Sequence, residues 1–130
     1  LQFVEKKMKT VLVIEDNLDN LELITVILKK NGYKVIKAET GQLGFKMAME
    51  TRPDFIVLDI QLPDMTGLEV LQMVRNSKIN GDIPVIAMTS FAMAGDREKM
   101  IASGCNGYIE KPIDPARVID QIREIIGENK

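Results

Sequence analysis

Five short apolar runs alternate along this chain with five segments whose apolar positions recur at helical spacing. The runs predict strands over residues 10–14, 34–37, 55–58, 84–88 and 107–109, three of them continuously apolar. A strand that is apolar at every position is buried on both faces, as in a parallel sheet covered by helices. The helical segments carry their own punctuation. Over 18–30, Leu21, Ile24 and Leu28 share a face, and Asn31-Gly32 stops the helix. Gly41, Gly44, Phe45 and Ala48 form the next stripe, weakened by its two glycines and closed by Pro53. A third helix is expected over about 66–77 with Leu71 and Val74 inward, and a fourth over about 94–103, ended by Gly104. In the last, Asp114 reads as N-cap and Pro115 as the first helical residue. Val118, Ile119, Ile122, Ile125 and Ile126 form its apolar face, and Gly127 is its stop.

Strict alternation of strand and helix predicts right-handed crossovers and an α/β fold, a doubly wound parallel sheet of five strands with five helices. Ligands of such sheets bind in the crevice outside the carboxyl ends of the strands. Those ends are chemically loaded here: Glu15-Asp16 after the first strand, Asp59 after the third, Thr89 after the fourth and Glu110-Lys111-Pro112 after the fifth. In the order 2-1-3-4-5, strands 1 and 3 are neighbours and strands 4 and 5 follow. Asp59 then falls between acidic residues on one side and a hydroxyl and an ammonium on the other.

Composition narrows the partners. A chain of 130 residues fits one domain with one core, without room for a second output domain. With 45% apolar and 28% charged residues it falls in the globular class, away from disordered and membrane proteins. A net charge of -2 gives no field to attract nucleic acid or an anionic membrane. No apolar stretch reaches the roughly 18 residues of a membrane span, and the start LQFVEKKMKT has no signal-peptide core, so the expected location is the cytoplasm. Histidine is absent, which removes imidazole as base, metal ligand or phosphate carrier. Any phosphoryl group must come from another molecule.

Asp59 ends the apolar run FIVL, where burying a charge is costly. Carboxylates gathered within a few ångströms repel by about 4 kcal/mol per pair at an effective dielectric near 20. A cation is therefore implied, and oxygen ligands without His or Cys favour a hard ion such as Mg²⁺. With that charge screened, Asp59 can attack phosphorus and form an aspartyl phosphate, while the Lys111 ammonium and Thr89 hydroxyl stabilise the phosphoryl oxygens.

The segments EDN at 15–17, VLDIQLPDMTG at 57–67, TSFAMAGD at 89–96 and GYIEKPI at 107–113 resemble the receiver domain of response regulators, and the likeness spans Met8 to about Gly127. Within that family the chain is most similar to stand-alone receivers of the cell-division (DivK-like) type and to receiver modules of hybrid histidine kinases. The resemblance implies a flavodoxin-like sheet of order 2-1-3-4-5, an order that receivers themselves exemplify. It implies Asp59 as phosphoacceptor, Glu15 and Asp16 as the acidic metal-binding pair with the backbone carbonyl of Gln61 and Asp59 itself completing the Mg²⁺ (or Mn²⁺) site, Thr89 as switch hydroxyl, Tyr108 as switch aromatic and Lys111 as the catalytic lysine. A cis Lys111-Pro112 bond is also implied. The expected partners are a sensor histidine kinase or histidine phosphotransfer protein, and a downstream protein target on the face of helix 4, strand 5 and helix 5. Direct contact with nucleic acid or membrane is not expected, and neither is enzymatic turnover beyond the domain's own phosphorylation and dephosphorylation.

Each residue also has a plainer reading. Taken alone, Glu15-Asp16-Asn17 reads as a helix N-cap cluster, Thr89 as a cap or turn residue, LPDMTG as a surface turn set by Pro63 and Gly67, Lys111 as a solvated loop lysine and Tyr108 as half-buried packing. Their joint placement at four strand ends favours the site. Competing classes are a receiver-like scaffold that is never phosphorylated and a Mg²⁺-dependent phosphatase with an aspartate nucleophile. Gln61 stands where such phosphatases carry a second acid. A flavin-binding protein of this fold is disfavoured because acidic EDN would repel a phosphate. Cys105 reads as a small buried filler, and Met47, Met73, Met88 and Met100 as core or half-exposed packing. Residues 1–7 lack periodicity and read as an upstream remnant or a native extension, with the receiver domain at 8–130.

Overall fold

The computed structural model of the chain describes residues 8–79, 81–90 and 96–128. The extension at 1–7 and the expected start of the fourth helix at Ala94 lie outside the described residues. The elements are β1 (Thr10–Ile14), α1 (Leu18–Lys30), β2 (Lys34–Ala38), α2 (Gly41–Thr51), β3 (Phe55–Asp59), α3 (Gly67–Asn76), β4 (Val85–Thr89), α4 (Asp96–Ala102), β5 (Gly107–Glu110) and α5 (Val118–Ile126). All sheet pairings are parallel and the order is β2-β1-β3-β4-β5, as the alternation predicts.

Side chains leave a strand alternately to either face, and here each face has its own core. Val11, Val13, Phe55, Val57, Ile86 and Met88 pack under α1 and α5 with Leu21, Ile24, Leu28, Val118 and Ile122. Leu12, Ile14, Ile56, Leu58, Val85 and Ala87 pack with Ala48, Val70, Leu71, Val74 and Met100 on the other face. Every residue of β3 and β4 is buried, so continuous apolarity did signal a two-sided strand. Truncating such a residue, Leu71→Ala for example, costs about 2–5 kcal/mol. Edge strand β2 exposes Lys34 and Lys37, which guard against pairing with another chain.

The helix starts are locally specified. Side-chain oxygens of Asn17 and Thr40 accept from the N–H groups of Asn20 and Leu43 at 3.0 and 3.1 Å. Thr66 and Glu69 form a reciprocal capping box at α3. The last helix departs from expectation. Asp114 Oδ1 accepts from Ala116 N at 3.0 Å, and residues 115–117 form a turn, so α5 begins at Val118 with Arg117 as a cap without a side-chain bond. Asp-Pro chemistry is satisfied within that turn, one step before the helix proper. Strand ends also shift: β2, β3 and β5 each reach one residue further than expected, and β4 lies one residue later. For β3, β4 and β5 the expectation stopped at the last apolar residue, whereas the ladder is a backbone property that includes Asp59↔Met88 and Thr89↔Glu110; β2 runs on to Ala38, paired with Ile14.

At the amino ends of the strands, Arg75 from the end of α3 fastens two loops. It donates to the carbonyls of Gly81 (2.9 Å) and Ile83 (2.6 Å), twice to Gly104 (3.1 and 2.8 Å) and to Asn106 Oδ1 (3.0 Å). Cys105 beside it is buried, and burial pushes its thiol up to about 11, consistent with inert packing. Met88 and Met100 are buried and Met47 and Met73 half-buried, as expected of filler.

Candidate functional site

The carboxyl ends of four strands converge at one edge of the molecule. Glu15 extends β1, its N–H donating to Ala38 O at 3.0 Å, and its side chain is fully buried. Asp16 beside it is exposed, and Asn17 caps α1. The cap reading of EDN thus holds for its third residue, while the first two face the site.

Asp59 ends β3 and is 3% exposed. The loop after it is closed by Gly67 N–H donating to Ile60 O at 2.7 Å and by a bridge between Gln61 and Thr66. A Cβ on Gly67 would overlap the Asp59 carbonyl and lie 2.7 Å from Ile60 Cα, so only glycine lets α3 start this close to β3. Within the loop the Gln61 N–H donates to Asp59 Oδ1 at 3.1 Å, fixing the carboxylate's rotation.

Lys111 reaches in from the end of β5. Its Nζ lies 2.6 Å from Glu15 Oε1 and 3.1 Å from Asp59 Oδ2, with the side chain 12% exposed. The solvated-lysine reading is excluded. Its N–H donates to Thr89 O at 2.8 Å, and the Lys111-Pro112 bond is cis, as the resemblance implied. Thr89 is buried at the end of β4, one residue beyond the partner of Asp59. Tyr108 is half-buried in β5, with the Arg97 guanidinium carbon 5.3 Å from its ring centroid. The structure therefore brings Glu15, Asp16, Asp59 and Lys111 together, with Thr89 and Gln61 adjoining, and sets Tyr108 further down the neighbouring strand.

Charge is unbalanced there. Ligand oxygens of Glu15, Asp16 and Asp59 lie within 4.8 Å of one another, against one ammonium. Burial, then the shared proton contact with Asp59, pushes Glu15 up to about 7, against the opposing pull of Lys111. Burial pulls Lys111 down, but Glu15 and Asp59 outweigh it and hold its ammonium above the usual range. Glu15 Oε1 has no hydrogen bond of good angle among the described residues, so its short contact with Lys111 is an ion pair. Hard oxygen donors, an excess of negative charge and an under-satisfied buried carboxylate fit a divalent cation such as Mg²⁺.

Two residues of this region carry no signal in the pattern. Asp64, at the tip of the loop after β3, accepts from Gly41 N at 2.8 Å and Gln42 N at 2.9 Å, at the start of α2. The Gln42 and Gly41 N–H groups hold its carboxyl below the usual range. Arg97 is the other. Pro63 and Gly67 marked a turn around Asp64, but nothing local names the helix that Asp64 grips.

The strand ends thus set a buried aspartate between an acidic pair and a lysine, at the edge of a doubly wound sheet where ligands of this architecture bind. Residues 11–123 match the response regulator receiver domain family, and the chain belongs to it. The polar-differentiation response regulator DivK of Brucella anthropi is 41% identical over 120 residues, covering 92% of this chain and 98% of that protein. DivK of Brucella ovis is 40% identical over the same shares. The chemotaxis response regulator CheY4 of Vibrio cholerae superposes with a TM-score of 0.87 at 25% identity, over 92% of this chain and 99% of that one. The receiver domain of a Pseudomonas aeruginosa sensor histidine kinase, which has a magnesium ion coordinated in its active site cleft, gives a TM-score of 0.84 at 30% identity over 94% and 100%.

Proposed function

We propose that this receiver takes a phosphoryl group onto Asp59 from a sensor histidine kinase or histidine phosphotransfer protein and thereby switches a protein-binding surface. The observation that carries this is the buried Asp59 carboxylate, oriented by Gln61 N–H, with Lys111 Nζ 3.1 Å away and the Glu15 and Asp16 carboxylates beside it. Glu15, Asp16, Asp59 and the Gln61 carbonyl would hold Mg²⁺ or Mn²⁺, which when bound neutralises charge on the phosphoryl oxygens. The magnesium ion in the Pseudomonas receiver supports that assignment.

An Asp59 oxygen attacks phosphorus; a P–O bond forms as the donor's P–N bond breaks, and the imidazole leaves with the electron pair and takes up a proton. Lys111 exchanges its contact with Asp59 for a charge-assisted hydrogen bond to a phosphoryl oxygen. The Thr89 hydroxyl donates to another, and Tyr108 turns inward, which reshapes the face of α4, β5 and α5 for a downstream protein. Phosphorylation acts as strongly as it discriminates between the two conformations. The domain catalyses only its own phosphorylation and dephosphorylation, in the cytoplasm and without direct nucleic-acid contact. Among the described residues no helix is long and apolar enough to cross a membrane.

The test is intact mass after incubation with acetyl phosphate or a phosphorylated phosphotransfer protein, with and without Mg²⁺. The expected result is a Mg²⁺-dependent gain of one phosphoryl group that is absent in Asp59→Asn. No gain from either donor would overturn the proposal in favour of a scaffold. Steady release of phosphate from an external ester would instead identify a phosphatase.

A further inference from the structure

The loop that orients Asp59 is held from a distant part of the chain. Its two ends are joined by the Gly67 to Ile60 bond and the Gln61 to Thr66 bridge, which leave the tip around Asp64 unsupported. Both Asp64 oxygens accept backbone N–H groups from the first turn of α2, one each from Gly41 and Gln42. Among the described residues nothing else serves those donors: the Thr40 hydroxyl caps the next residue, Leu43. Contact is close on the apolar side too, since a Cβ on Gly41 would lie 2.5 Å from Met65 Cγ and 2.9 Å from Val70 Cγ2. The tip is thus seated on α2 by two charge-assisted bonds and by shape.

We infer that Asp64 is a positioning residue for phosphoryl transfer, clamping the 60–66 loop to α2 so that Gln61 presents its N–H to Asp59 and its carbonyl to the metal position. This rests on the reading of Asp59 as phosphoacceptor. The bonds run in series from α2 through Asp64 along three residues to Gln61, and from its N–H to Asp59 Oδ1. Releasing the tip frees the loop that supplies both groups. Supporting partners of this kind are worth roughly tenfold or more in metal affinity or rate.

The clamp can be cut from either side. Asp64→Ala removes the acceptor, while Gln42→Pro removes one donor at an early helical position where proline is tolerated. The measurements are the Mg²⁺ dissociation constant by calorimetry and the acetyl phosphate rate by intact mass, both at a temperature where every variant is folded by circular dichroism. Both variants are expected to weaken Mg²⁺ binding and slow phosphorylation, roughly tenfold for Asp64→Ala and less for Gln42→Pro, with the double variant less than additive. A purely structural clamp would lower Tm and leave both constants unchanged in the folded protein, which would overturn the inference. Independent, additive effects of the two variants would overturn it as well. If the unaltered protein takes no phosphoryl group while binding Mg²⁺, the phosphoacceptor reading fails, and the Mg²⁺ constant still decides the clamp.

Discussion

At the amino ends of the strands the Arg75 guanidinium makes five hydrogen bonds, one for each N–H it owns, whereas at the carboxyl ends one Lys111 ammonium pairs with two of three clustered carboxylates. The amino end is matched elsewhere as well. Lys9 pairs with Glu128, whose other oxygen accepts from Tyr33 OH at 2.6 Å, and Asp54 Oδ2 accepts from Thr10 N at 2.7 Å. These polar groups are paired within the chain and hold loops and helix ends in place. At the carboxyl end, Glu15, Asp16 and Asp59 cluster around one ammonium with charge left over. On the reading proposed above, the difference separates groups that stabilise the fold from groups kept for a cation and a phosphoryl group.

The sharpest way to break this contrast is Arg75→Ala. It leaves the Gly81, Ile83 and Gly104 carbonyls without their donor, so urea denaturation should show a loss of about 3 kcal/mol. Phosphoryl uptake per folded molecule should stay unchanged; a parallel loss of uptake in folded protein would show that the two ends are coupled.

A pH series addresses the carboxyl end. Glu15 is raised from an ordinary 4.5 to about 7, so the native state holds its proton more tightly than the unfolded chain does. That stabilisation is complete below 4.5 and is lost as pH rises to about 7. In EDTA, stability should therefore fall across that window by an amount on the order of 2 kcal/mol. Saturating Mg²⁺, which competes with the proton, should flatten or reverse the trend, and Mg²⁺ affinity should climb with pH and level off above about 7. A flat stability curve in EDTA would mean that the cluster is not strained.

The smallest effect is expected from Lys9→Met. This ion pair lies at the surface, and denaturation should detect less than ~1 kcal/mol. A larger loss would mean that Lys9, Glu128 and Tyr33 act as one unit.

How far these features could be read from residues alone depends on the distance between partners. Asn17 and the Thr66–Glu69 box were legible or nearly so, because a cap bonds within three residues. The α5 start was misplaced for a related reason: Asp114 does form a local bond, but to residue 116 in a turn rather than to the helix. Arg75 was invisible as a clasp, since its Gly104 partner lies 29 residues away. Asp64 meets Gly41 across 23 residues, and no local pattern could have paired them.

The order of elements, the strands buried on both faces and the chemistry at each strand end were written in the sequence, because apolar periodicity, caps and stops act over a few residues. Strand alternation together with the handedness of crossovers then put Glu15, Asp59, Thr89 and Lys111 at one edge. Only the tertiary structure decided that Glu15 is fully buried while Asp16 stays exposed, that Lys111 divides one ammonium between two carboxylates, and that α2 grips the loop orienting Asp59. Those are through-space choices among groups far apart in the chain. Electrostatics and hydrogen-bond geometry settle them at separations of a few ångströms, a scale that exists only once the sheet has assembled.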